Sequence, residues 1–419
     1  MKPRLGLLSI AALSLMVGAC GGGKGGASAG ADLTTGSTVT LGAVANVVAG
    51  FNSSAVLKAG TSGSAATYIW GDNTWGQMGN ASLVTPNATP FAVGSTATWK
   101  SIAAGGAHTL AVKSDGTLWA WGYNQNGQLG DGFSAANGQS HVYQNTPKQI
   151  GTSTSWAVVA AGETHSMAMD SAPSPALYAW GQNAYGQLGL GTTLDSFAPG
   201  TASKVAGTSG TSWRSIAAGA RHSLVLRSDG KVLSWGDDNR GQLGDWIASA
   251  QPTLTPTVVR INLSALAISA GSYHSLAILN DHTLWSWGDN TYGQLGYSSF
   301  DSVLQSDPLF SSVAIKVGVD SDWSAVAGGG THTLAIKQDQ TLWAWGGNAY
   351  GQLGNNTTVD APAPVQIGSA NRWIAVAAGK YHSMAIDTNN KLWTWGRNAE
   401  GQLGNGTTVG PVLVPTAIP

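Results

Sequence analysis

Residues 99–130 read WKSIAAGGAHTLAVKSDGTLWAWGYNQNGQLG. A Trp-led apolar stretch stops at Gly105-Gly106, and a second begins at His108. The turn Ser114-Asp115-Gly116 follows, and residues 117–121 then end in a Trp-x-Trp pair. Short alternating runs parted by Asp-Gly turns predict antiparallel hairpins. A Pro-led stretch downstream (147–150 here, 364–367 later) adds a fourth strand, so each unit predicts one four-stranded blade.

The Trp-Gly pair followed by Gly-Gln-Leu/Met-Gly recurs at Trp70, Trp121, Trp180, Trp235, Trp287, Trp345 and Trp395, with spacings of 51, 59, 55, 52, 58 and 50 residues. A repeat of about 54 residues marks a solenoid, propeller or array. Seven four-stranded units predict an all-β chain closed as a seven-bladed β-propeller over residues 41–419.

Composition agrees with that reading. The 58 glycines in 419 residues are about twice the average share, and charged residues at 10% fall well below the usual ~25%. Only Glu163 and Glu400 are glutamates; the other acids are Asp, so turn formers abound where acidic helix formers are nearly missing. A hydrophobic share of 42% excludes a disordered chain. The formal net charge of −1 offers no electrostatic reason for nucleic-acid binding or a polybasic membrane contact.

The N-terminus has a different character. Lys2 and Arg4 precede a short apolar run over residues 5–17, too short to span a bilayer, and then small residues lead to Cys20, the one cysteine of the chain. The junction Val17-Gly18-Ala19-Cys20 resembles the lipobox of bacterial lipoproteins. That resemblance implies a signal peptide over 1–19 and a diacylglycerylated Cys20 as the mature N-terminus. Loss of Lys2 and Arg4 leaves 18 cations against 21 anions, so acyl chains rather than charge would form the anchor. Gly21, in place of Asp, points by analogy with enterobacterial sorting to an outer-membrane or cell-surface location. Residues 20–40 are rich in Gly, Ser, Ala and Thr, the composition of a flexible tether with a span of roughly 25 Å.

The repeated blocks Ala-Gly-x-x-His-Ser/Thr-Leu/Met-Ala, Leu-Trp-x-Trp-Gly-x-Asn and Gly-Gln-Leu-Gly resemble those of the regulator of chromosome condensation repeat family, over residues 41–419. The first unit departs from the pattern: Ser53 replaces the histidine and Val44 the leading Trp, while the fifth unit has Ala265 at that Trp position. Pro-led strands follow every unit, including the last, but none precedes the first. If each joins the following blade as its outer strand, the reading we favour, the C-terminal strand at 415–418 would complete blade 1 as a clasp; if each belongs to the preceding blade, no such clasp exists.

Six histidines (His108, His165, His222, His274, His332 and His382) recur at one place in six units. Equivalent points on a ring face different blades, so they do not converge on a metal at ~2.0–2.1 Å. We expect each to be buried with a ring N–H on a loop carbonyl, and no metal or cofactor to be held. The pairs Trp119/Trp121, Trp285/Trp287, Trp343/Trp345 and Trp393/Trp395, spaced by two in a strand, are expected to pack on the next blade. In the Gly-Gln-Leu-Gly block, Gly is expected to supply positive φ and Gln to cap the neighbouring loop's backbone. No nucleophile elbow, P-loop, His-Glu-x-x-His or dinucleotide fingerprint occurs, which argues against an enzyme.

Function is therefore expected where the units differ. Before Gly-Gln-Leu/Met-Gly the seven copies read Trp75, Asn126, Tyr185, Arg240, Tyr292, Tyr350 and Glu400. Before the histidine, six copies read Ala107, Thr164, Arg221, Tyr273, Thr331 and Tyr381. Trp, Tyr and Arg dominate interface hot spots, although such residues can equally cover adjacent turns as part of the fold. Insertions at 131–145, 245–256 and 297–314 are further candidates. Family members act as a nucleotide exchange factor, as ubiquitin-ligase modules and as a β-lactamase inhibitor. The resemblance thus implies recognition by one face. Together these features imply a lipid-anchored, extracytoplasmic scaffold binding a protein or glycan in the cell envelope, with no nucleic acid and no membrane contact beyond the lipid. An inhibitor of a secreted or periplasmic enzyme is the alternative; an exchange factor or a glycan-active enzyme is weaker. Cys20→Ser should move the protein from the membrane to the soluble fraction, and retention in the membrane fraction would refute lipid anchoring.

Overall fold

The computed structural model describes residues 25–26, 44–58, 62–63, 66–94, 98–133, 142–172, 175–199, 203–206, 212–297 and 309–418. The signal segment, Cys20 and the tether lie outside these residues, apart from a two-residue pairing of Gly25–Gly26 with Ser62–Gly63.

Seven antiparallel sheets follow one another around a ring, each built from inside outward in chain order. Blade 1 comprises Val44–Ala49, Ser53–Lys58, Thr67–Gly71 and Asn87–Val93. Blade 2 is Trp99–Ala104, His108–Lys113, Leu118–Tyr123 and Tyr143–Ile150, and blade 3 is Trp156–Ala161, His165–Asp170 and Leu177–Gly181. Blade 4 is Trp213–Ala218, His222–Arg227, Val232–Asp238 and Ser249–Val258; blade 5 is Ala265–Ala270, His274–Leu279, Leu284–Asp289 and Phe310–Lys316. Blade 6 is Trp323–Gly328, His332–Lys337, Leu342–Gly346 and Ala361–Ile367, and blade 7 is Trp373–Ala378, His382–Asp387, Leu392–Gly396 and Val412–Ala417. In blade 3 the fourth strand is reduced to two bridges, Ser196 to Gly181 and Lys204 to Tyr178. The stretch 196–204 between these bridges is three residues longer than its counterpart 361–366 in blade 6. No helix among the described residues is long and apolar enough to cross a membrane.

Innermost strands surround a central channel lined by Gly and Ala. The glycine ending each of these strands is dictated by its neighbours. A Cβ on Gly105 would stand 2.5 Å from both the Gly162 carbonyl oxygen and the His108 ring. The same relation runs from blade to blade and closes where Gly379 meets the carbonyl of Gly50 at 2.7 Å.

The expected clasp does not form. Val412–Ala417 pairs with the third strand of its own blade, Trp393 opposite Ala417, and blade 1 is completed by Asn87–Val93. Each Pro-led strand turns back from its own Gly-Gln-Leu-Gly loop onto the strand that precedes that loop, so it never reaches the next unit. The seam between blades 7 and 1 relies instead on the contacts found at other seams. Val47, Val56 and Trp70 pack against Ala375, Met384 and Ile386. Ser54 Oγ and Trp70 Nε1 both donate to the Gln402 carbonyl at 2.8 Å, and the Lys380 N–H donates to Phe51 O at 3.2 Å.

Two expectations about the core also need correction. Trp121 faces the preceding blade rather than the next: it packs with Val48, Leu57 and Ile69 of blade 1 and donates Nε1–H to Gln77 O at 2.9 Å. Its partner Trp119 is only half-buried, edge-on to Trp99 and under the Lys113 ammonium. The histidines, for their part, reach a hydroxyl and not a carbonyl. Nε2 of His108 lies 3.0 Å from Ser166 Oγ of the next blade, and that hydroxyl donates to Gln128 O at 2.6 Å. His165–Ser223, His222–Ser275, His274–Thr333, His332–Ser383 and His382–Ser54 repeat the arrangement around the ring. A hydroxyl has one proton and here gives it to a carbonyl, so it accepts from Nε2–H, and the imidazole is the neutral Nε2 tautomer. Thr109 donates to Gln77 O in the same way, but in blade 1 the place of the histidine is held by Ser53.

Burial lowers the six rings from 6.5 to about 3, and to about 4 for His165. The unfolded chain binds protons below pH 6.5 that the folded ring refuses. This contribution to stability is therefore complete above that pH and is lost as pH falls toward 3–4. The denaturant midpoint should drop between pH 7.5 and pH 5. His332→Ala, less stable by ~1–3 kcal/mol at pH 7.5, should lose less than the parent across that interval; an equal loss would contradict a neutral buried His332.

Candidate interaction face

Antiparallel blades bring two loops of every unit to one end of the ring: the turn between first and second strands, and the Gly-Gln-Leu-Gly loop between third and fourth. Constant residues fix the second loop. Asn73 Oδ1 accepts the Met78 N–H at 3.0 Å, and its amide donates to Ser82 O at 3.0 Å. Gln77 Oε1 accepts the Trp75 N–H at 2.9 Å, so Gln caps its own loop while its carbonyl serves the next blade. Equivalent bonds hold the backbone of Asn126, Tyr185, Arg240, Tyr292, Tyr350 and Glu400 at 2.9–3.0 Å. Backbone position is thus uniform while the side chain varies. Blade 4 differs in that Asp238 takes the Asn place; it accepts the Leu243 N–H, and burial pushes its carboxyl up to about 7.

All eight residues singled out as contact candidates lie on this loop face, in two rows that meet. Arg221 donates to Tyr185 Oη at 2.8 Å and stacks over its ring at 4.4 Å; Tyr350 lies 5.0 Å from Tyr381. Arg240 reaches the next blade to pair with Asp289 at 3.2 Å. Burial raises the Tyr273 hydroxyl above its ordinary value, with Arg221 opposing and Glu163 adding to the effect. Tyr185, Arg221, Tyr273 and Tyr381 are half-buried among such neighbours, whereas Tyr292 is 47% exposed, Tyr350 38% and Trp75 37%.

Sequence reasoning missed Tyr123, 4.7 Å from Trp75, and Arg397, which pairs with Glu400 at 2.6 Å and lies over Tyr350. Both occupy the variable place in Trp-Gly-x-Asn, a third column whose variation was visible in the repeats. Lys380 over the Phe51 ring was missed as well. Of the insertions, 134–141 and 298–308 lie outside the described residues, so Phe300 and Leu304 are not placed. The 245–256 segment forms a longer outer strand flanked by exposed Trp246. Among the described residues no group of three or more His, Cys, Asp or Glu could hold a metal ion.

This architecture defines a class, the seven-bladed propeller with Trp-Gly and Gly-Gln-Leu-Gly loops on one face, and comparison with known proteins narrows it. The RCC1-like domain model matches residues 201–419, and the regulator of chromosome condensation (RCC1) repeat matches 66–112, 99–128 and 115–169. The chain belongs to the RCC1 repeat family. It is 33% identical to the ultraviolet-B receptor UVR8 of Arabidopsis thaliana over 296 residues, 68% of this chain and 62% of that protein. Against the human E3 ubiquitin-protein ligase HERC2 it is 31% identical over 263 residues, 59% of this chain but 5% of that protein. The chain thus spans less than two thirds of either relative. Prp20p of Saccharomyces cerevisiae superposes with a TM-score of 0.70 at 24% identity, covering 84% of this chain and 85% of that one. Human WBSCR16 gives 0.70 at 22%, covering 84% and 93%.

Proposed function

We propose that this chain is an extracytoplasmic binding scaffold, anchored by lipid at Cys20, that grips a protein or glycan partner with its loop face and performs no chemistry on it. The observation that carries this reading is the Gln-to-backbone bond repeated in all seven blades. It fixes seven side chains of different character on one rigid rim, an arrangement suited to recognition. The relatives lend support. The Prp20p structure is described with its binding to Gsp1p and histones, and yeast RCC1 is known with Kap60 bound. A protein is therefore the favoured partner, and an inhibitor of an envelope enzyme is one form of that reading.

Titrating the purified propeller against an envelope enzyme that it captures tests the proposal. Tyr292→Ala combined with Tyr350→Ala should weaken binding by ~2 kcal/mol or more. Unchanged affinity would remove the loop rim from the site and direct attention to the 245–256 insertion. Lowered turnover of the captured enzyme would identify the inhibitor form.

A further inference from the structure

The two ends of the propeller differ in charge, and the chain enters at a particular one. Val44 opens the innermost strand of blade 1. Its N–H donates to Asn390 O at 3.1 Å, in the turn between second and third strands of blade 7, and it lies opposite Lys58. The described innermost strand of blade 1 therefore begins at the turn face, the end opposite the loop rim.

Cations gather around that entry point. Lys391 follows Asn390, and Arg372 closes on the same turn through its carbonyl, which accepts the Thr388 N–H at 2.9 Å. Lys58 comes from blade 1, and Lys100 and Lys113 come from the turn end of blade 2, where the Ser114 N–H meets Thr98 O. Against these five cations, the same sector of blades 7, 1 and 2 presents two carboxylates. Asp387 is buried and accepts from Trp393 Nε1 at 3.0 Å; Asp115 is held by the Thr117 N–H and hydroxyl. None of Lys58, Lys100 and Lys391 forms an ion pair among the described residues. The loop face is less basic: both glutamates of the chain, Asp72, Asp237 and Asp289 stand there against Arg221, Arg240, Lys380 and Arg397.

We propose, against the sequence expectation of no membrane contact beyond the lipid, that the turn face around Val44 docks on an anionic lipid surface, which directs the loop rim away from the bilayer. The inference rests on the reading of residues 20–43 as a tether ending in a lipid at Cys20. Its Gly- and Ser-rich composition gives a span of roughly 25–30 Å, within which the entry side is held near the headgroups. Clustered Lys and Arg are drawn to anionic headgroups over about a Debye length, too weakly to anchor a protein unaided but enough to orient one already tethered. Charge and anchor thus divide the work: acyl chains retain the protein, and the basic sector sets which end faces outward.

Because Cys20 is the only thiol, a chain beginning at Cys20, which keeps every described residue, can be coupled there to a maleimide lipid in vesicles. The vesicles are phosphatidylcholine alone or phosphatidylcholine with phosphatidylglycerol. Lysine acetylation is followed site by site, with Lys380 on the loop face as the internal reference. On phosphatidylglycerol vesicles, Lys58, Lys100 and Lys391 should react roughly threefold more slowly relative to Lys380, and the protection should vanish at about 0.5 M salt. Equal relative rates on both vesicles, or protection of Lys380, would overturn the proposal. The anchor is supplied chemically, so this outcome is independent of whether cells acylate Cys20; that question is decided by the fractionation of Cys20→Ser.

Discussion

Everything in this propeller depends on how one blade holds the next. The carbonyl of the loop Gln accepts two bonds from the following blade, from the Trp indole and from the Ser or Thr hydroxyl, and in six blades a buried histidine donates to that same hydroxyl. A carbonyl satisfied twice and an imidazole kept neutral limit the polar cost between apolar faces, which is then confined to the ring Nδ1, buried without a hydrogen-bond partner in all six histidines. The unit is self-complementary around a circle: each blade supplies the carbonyl and, in all but blade 1, the histidine on one side, and the indole and hydroxyl on the other. For this reason the last blade meets the first without any exchanged strand.

That logic also explains which letters of the repeat are constant. The strand-end glycines leave no room for a Cβ between a histidine and the next blade's carbonyl, and Gly122 has a φ of 101° with Ala107 O 2.5 Å from its would-be Cβ. Asn and Gln are spent on the loop backbone and Trp on the seam. What remains free to vary is the outward tip of each loop, where Trp75, Tyr292 and Tyr350 stand exposed on identically held backbones.

The architecture was legible because repetition multiplies a weak signal. One Trp-Gly pair could belong to many folds, but seven at a steady period describe a ring. Strand pairing was less legible: the Pro-led segment is separated from both neighbouring units by loops, and its sequence does not say which third strand it joins. The direction in which Trp121 packs is likewise a matter of blade handedness, and alternation reveals only that one side of the strand is buried. Residue type showed that the histidines needed a partner, yet the partner lies more than fifty residues away in most pairs, in the Ser/Thr place that immediately follows the next histidine. The contact rows were legible as columns of variation. Which members lean on a neighbour, as Tyr185 does on Arg221, depended on distances that spacing does not encode.

Ring closure by this relay is most directly tested at the one seam between the chain's two ends. A double-mutant cycle on Ser54→Ala and His382→Ala, read by denaturant unfolding, should show a coupling of ~0.5–3 kcal/mol. Effects that simply add would mean the two residues do not share a bond, and that blades 7 and 1 are joined by something other than the contact that joins the rest.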